Sequence, residues 1–175
     1  MKVNLHPLRT AGLIVLLALT TLTGCVPDGG STARKPPATP AHDPNFTMLF
    51  VPQSRNEVVV IRDNRGGNVM RAIKRRNELE RWGGRVEVRG YCGSACTLFI
   101  TLPNACLGPG AVVGFHAPRI PNTTYIPPGV DEIMALYYRN DILARWNETW
   151  KRSLEIKKIT AKEYVRLDPQ TKLCR

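Results

Sequence analysis

Ser94 stands between two cysteines in the run Gly90-Tyr91-Cys92-Gly93-Ser94-Ala95-Cys96. Residues 85–89 alternate charged and β-branched side chains and predict a short strand, whereas the apolar run 95–102 predicts a buried helix. Ser94 therefore belongs to a strand-to-helix corner. A serine there can cap the helix, where its hydroxyl is favoured. It can also stand above the sheet beside backbone N–H groups, as a nucleophile requires. The nucleophilic role needs a base and a site for a developing oxyanion. His6 and His42 precede the folded region, which leaves His116, at the end of the apolar segment 110–118, to act as general base. Gly66-Gly67 sits at another strand-to-helix turn. Glycines admit a ligand close to the backbone, so N–H groups there can join that of Ala95 around an oxyanion. Taken singly, a glycine pair reads as a tight turn and a lone histidine as part of a core.

The cysteines Cys92, Cys96, Cys106 and Cys174 are even in number and permit two disulfides in three connectivities. A metal centre is the competing chemistry, but a C-x3-C pair without a second knuckle is a weak zinc pattern, so no metal and no cofactor is expected. At least one bridge is expected to run from Cys92 or Cys96 to Cys106 or Cys174. A bridge between Cys92 and Cys96 would close a very small loop around Ser94, and disulfides need suitably spaced Cα atoms.

These side chains must be held by an alternation of elements. Segments 46–51 and 57–63 read as strands, and 68–82 as a helix with Val69, Ala72, Ile73, Leu79 and Trp82 on one stripe. A strand at 86–90, a helix at 95–102 and a strand at 110–118 follow. A further helix begins near Val130, with Leu136, Leu143, Trp146 and Trp150 at helical spacing. The order β-α-β-α-β-α predicts an α/β fold with a largely parallel sheet and right-handed crossovers.

Together, Gly66-Gly67, the Cys-x-Ser-Ala-Cys run 92–96 and Gly-x-His-x-Pro at 114–118 resemble the ClpP/crotonase superfamily, specifically its bacterial periplasmic ClpP-like members. The resemblance covers about residues 46–174. It implies a ClpP/crotonase-like fold of repeated ββα units, with Ser94 as nucleophile, His116 as base, and the N–H groups of Gly67 and Ala95 as oxyanion hole. It also implies an acid just before the segment 159–168. The aligned position is near Ile156, and Glu155 is adjacent, with Asp131, Asp141 and Asp168 as further candidates. Superfamily members commonly form rings or trimers, so a homo-oligomer is implied as well. Two functional classes follow: a serine hydrolase, expected as a peptidase acting on peptide or protein substrates, or a non-catalytic envelope module that keeps the fold.

The N-terminal residues predict where this chemistry takes place. Lys2 and Arg9 precede an apolar run at 11–22 that has the length of a signal-peptide core and is short for a membrane span. Leu22-Thr23-Gly24-Cys25 resembles a lipobox, making residues 1–24 a lipoprotein signal and Cys25 the lipidated residue. Val26 favours the outer membrane by the same resemblance. Residues 25–44 are proline-rich and form a tether, and 45–175 form the domain. The net charge of +11 invites a nucleic-acid reading. Export argues against nucleic acid, and the basic runs at 71–81 and 151–162 read as solvated helix faces without interleaved aromatic residues.

Overall fold

Strand β2 (Arg85–Gly93) is the axis of the sheet, because Val86 and Val88 are wholly buried and it exchanges hydrogen bonds with three other strands. The computed structural model describes residues 51–175. The signal, Cys25, the tether, His6, His42 and most of the expected 46–51 strand lie outside the described residues. Strand β1 (Val58–Asn64) runs parallel to β2 and alternates as a strand must, burying Val59 and Ile61 while leaving Val58 and Val60 exposed. Helix α1 (Val69–Trp82) then crosses back, capped by the Asn68 side chain, which accepts from the Arg71 N–H. It buries Ala72, Ile73, Leu79 and Trp82, four of the five stripe positions.

The sheet changes partners along β2. Strand β3 (Ala105–Leu107) pairs with residues 86–88, and β4 (Val112–Phe115) with residues 91–93, both in parallel. Between these two registers the chain kinks. Gly90 has φ +67°, and its partner strand carries an irregularity between Arg62 and Asn64, with Asp63 at φ +49°. The Asp63 carboxylate accepts from the Tyr91 N–H at 2.9 Å, and a Cβ on Gly90 would strike the same carboxylate. This paired deformation curls the sheet and brings the end of β2 beside the end of β4.

Beyond Gly93 the expected helix 95–102 is a 3₁₀ turn, Ser94–Cys96, and a single turn α2, Thr97–Ile100. The run expected as one helix from Val130 divides into α3 (Val130–Ala135) and α4 (Asn140–Glu148), so Leu136 is 82% exposed instead of lying on a buried stripe. Tertiary polar bonds explain the break. Arg139 is extended and Asn140 left-handed, and both donate to the buried Asp168 carboxylate. A second 3₁₀ turn, Trp150–Arg152, follows.

The basic segment expected as a solvated helix contains a strand, β5 (Lys157–Thr160), which zips antiparallel onto β4 and buries Ile159. Helix α5 (Ala161–Leu167) and β6 (Lys172–Leu173), paired in parallel with β3, complete a mixed α/β fold. In the other basic run, Arg76 is buried, not solvated. Its guanidinium bonds both the hydroxyl and the carbonyl of Thr101, pairs with Glu80, and lies 4.8 Å from the Tyr137 ring centre.

Two disulfides are present, Cys92–Cys96 and Cys106–Cys174. The expected bridge out of the corner is therefore absent. The tight turn between Cys92 and Cys96 brings their Cα atoms to 5.4 Å, within ordinary bridging range, so the small loop closes readily. Cys106 and Cys174 meet because β3 and β6 are neighbours. Two disulfides place the domain in an oxidising, non-cytoplasmic environment. No helix among the described residues is long and apolar enough to cross a membrane.

Candidate functional site

Ser94 adopts φ +55°, left-handed backbone that costs a non-glycine residue on the order of 1–3 kcal/mol. The surroundings hold it there. Cys92–Cys96 brackets the turn from both sides. The Thr97 hydroxyl donates to the Ser94 carbonyl at 2.7 Å and also lies 2.7 Å from the Tyr138 hydroxyl. Because the single Thr97 proton goes to the carbonyl, Tyr138 is the donor in the second bond. Tyr138 is buried, and burial pushes its phenol far above the ordinary range, outweighing the opposite effect of its bond to Thr97. It therefore stays a neutral donor.

The turn before α1 packs directly on this corner. Gly66 has φ +89°, and a Cβ there would lie 2.6 Å from both the Gly93 carbonyl oxygen and the Ser94 Cβ, and 2.9 Å from the Ala95 nitrogen. Only glycine fits. The Asn64 side chain accepts from the Gly66 N–H at 2.8 Å and fixes the turn, and the next residue, Gly67, lines the same cavity as Ser94. Asn64 is buried at the end of β1, and its role is to position the glycine turn, which the sequence marks only as a turn at 64–67. Its signal was an asparagine two residues before a glycine pair, a pattern suited to an Asx-turn.

His116 follows β4 directly. Phe115 anchors the strand end, stacked on Trp150 at 4.4 Å and edge-on to Tyr138 at 5.7 Å. The next residue is tied as well, since the Ala117 N–H donates to the Ser153 carbonyl at 2.7 Å. His116 Nδ1 lies 2.7 Å from the Ala117 carbonyl oxygen. A carbonyl can only accept, so Nδ1 carries the proton and Nε2 is left as the basic nitrogen. Burial, with a smaller contribution from the Arg119 charge, holds the imidazole below its ordinary pKa even though the Ala117 bond acts the other way. The ring is neutral at neutral pH.

Ser94, His116 and Gly67 line one cavity of about 640 Å³, between the start of α1 and the loop after β4. Ala95 is buried in the first turn after Ser94, where N–H groups lack partners within the helix. The candidate acids lie elsewhere. The Glu155 side chain is 85% exposed and pairs with Lys157 at 3.1 Å. Asp131 pairs with Lys151, and Asp141 is exposed in the first turn of α4. Asp168 is buried and accepts from Arg139, Asn140 and Thr171. The Nδ1 partner of His116 is thus a backbone carbonyl, which sets the tautomer that a triad carboxylate sets elsewhere.

Neither the known protein families nor the curated proteins contain a match to this sequence.

Proposed function

We propose that this chain is an exported serine hydrolase, a peptidase of ClpP/crotonase type that forms an acyl-enzyme on Ser94. One observation carries the reading: a serine held in left-handed backbone and a histidine with its Nδ1 proton already committed share a cavity with the Gly66-Gly67 turn. His116 Nε2 takes the Ser94 hydroxyl proton as Oγ attacks a peptide carbonyl. The N–H groups of Gly67 and Ala95 hold the oxyanion. His116 returns the proton to the leaving amine, and water then hydrolyses the acyl-enzyme by the same base and the same hole. Ala117 replaces an orienting acid. It fixes the tautomer but brings no charge to stabilise an imidazolium.

The same reading anchors the chain to the envelope through a lipidated Cys25, on the periplasmic side and at the outer membrane, with residues 25–44 as tether. Its substrates are peptides or proteins, and copies of the chain assemble as a homo-oligomer. Reaction with a fluorophosphonate probe tests the catalytic part. Wild type is expected to label at Ser94 and Ser94→Ala to lose labelling, because only a serine with a base and an oxyanion hole is unusually nucleophilic. Equal, slow labelling of both would reject the hydrolase and leave a binding module.

A further inference from the structure

The cavity that holds Ser94 and His116 is also lined by Arg65, Arg71 and Arg119, and no aspartate or glutamate lines it. None of these arginines takes part in the ion pairs found among the described residues. The contrast along one helix is informative. Arg75 and Arg76, a turn further into α1, are paired with Glu78 and Glu80, whereas Arg71, at the cavity, forms no ion pair among the described residues. The first turn of α1 also lacks an acid, so the positive end of a 14-residue helix meets the cavity without internal compensation. His116 and Arg65 also line a second cavity of about 420 Å³, and that one, unlike the first, includes a carboxylate, Asp63, beside Lys158. The side of the nucleophile lined by three arginines is thus the one without a carboxylate.

We infer that this side of the site binds the carboxylate of an acidic residue in the substrate, so that the enzyme selects peptides carrying Glu or Asp beside the bond it cleaves. This rests on the hydrolase reading above, which supplies the acyl carbonyl at Ser94. Three features select the ligand class. The planar guanidinium fork matches a carboxylate in two parallel hydrogen bonds. Met70, Ile120 and Val130 line the same cavity and suit the aliphatic stem of a side chain. No Phe, Tyr or Trp lines it, so nothing offers the stacking face that a nucleobase would use.

The test uses the full chain and acetylated tripeptidyl phosphonates that react with Ser94. Paired probes differ only in Glu against Gln at each of the three positions before the phosphonate. At one position the Glu probe is expected to react about two- to fivefold faster at low salt, the size of effect an exposed charge pair supplies. The ratio should fall towards one in 0.5 M NaCl, and in Arg65→Gln and Arg119→Gln. Equal rates for Glu and Gln at all positions, with a neutral fluorophosphonate still labelling Ser94, overturn the acidic preference and leave the hydrolase standing. If the neutral probe does not label, the hydrolase falls, and calorimetric binding of the matching Glu and Gln tripeptide amides to Ser94→Ala decides the preference. Tighter binding of the Glu peptide supports it, and equal binding overturns it.

Discussion

A proton on His116 Nδ1 is committed to a neutral backbone acceptor, and this has two consequences at the scale of single residues. The first concerns pH. Burial lowers the imidazole pKa below 6.5, so the base form persists to lower pH than for a free histidine. The rate of Ser94 labelling should rise with pH along a limb centred below 6.5 and be flat above it; a limb centred above 6.5 would contradict the burial argument. The second concerns Glu155. With its carboxylate exposed and paired to Lys157, Glu155→Gln should change labelling less than twofold, whereas loss of a true triad acid costs up to about 10⁴-fold. Gly66→Ala should behave in the opposite way. Its Cβ has nowhere to go among the backbone atoms of 93–95, and its φ disfavours any side chain, so labelling should collapse and urea stability should fall by about 2 kcal/mol or more. Ser94, His116 and the glycine pair were legible as types at corners of the predicted elements. The Ala117 carbonyl was not, because every residue has one and only the backbone path after β4 aims it at a ring nitrogen.

Among the elements, several of the strong patterns were legible, the apolar run 95–102 is shorter as a helix than expected, and two further errors lie where long-range hydrogen bonds outweigh periodicity. Helix α1 and strands β1 and β2 follow their apolar spacing. The stretch 130–152 keeps a helical pattern but breaks at Arg139-Asn140, because Asp168, some thirty residues later in sequence, draws both side chains to itself. Segment 157–160 is basic enough to suggest a solvated helix, yet the free edge of β4 recruits it as a strand. The elbow after β2 depends on a similar tie, the chain of hydroxyls from Tyr138 through Thr97 to the Ser94 carbonyl. Tyr138→Phe deletes the donor and should cost about 1 kcal/mol in urea unfolding, with a further loss of labelling as the corner loosens. Thr97→Val removes the carbonyl's partner as well and should be the more damaging of the two. The reverse order would show that Tyr138 acts through packing on Phe115 and Trp146 instead.

For the molecule as a whole, stability is distributed between a small core, two disulfides and a buried charge. Asp168 feels burial most, which raises its pKa, but the bonds from Thr171, Arg139 and Asn140 outweigh it and hold the carboxyl below 3.8. The unfolded chain therefore binds this proton first. The stabilisation is complete above 3.8 and is lost as pH falls through the folded value, so Asp168→Asn should flatten acid unfolding in that range. Chain entropy assigns the bridges unequal weights, about 2 kcal/mol for the five-residue loop at Ser94 and about 4 kcal/mol for the loop closed by Cys106–Cys174. Replacing Cys106 and Cys174 by alanine should thus lower urea stability more than replacing Cys92 and Cys96. The pairing has a further consequence for biogenesis. Along the chain the four thiols join first to second and third to fourth. A chain crossing a membrane N-terminus first presents them in that same order, so an oxidase that links each thiol to the next one to emerge makes the native set directly. Such a protein needs no disulfide isomerase to mature, provided that the upstream thiol of Cys25 is already consumed when Cys92 appears.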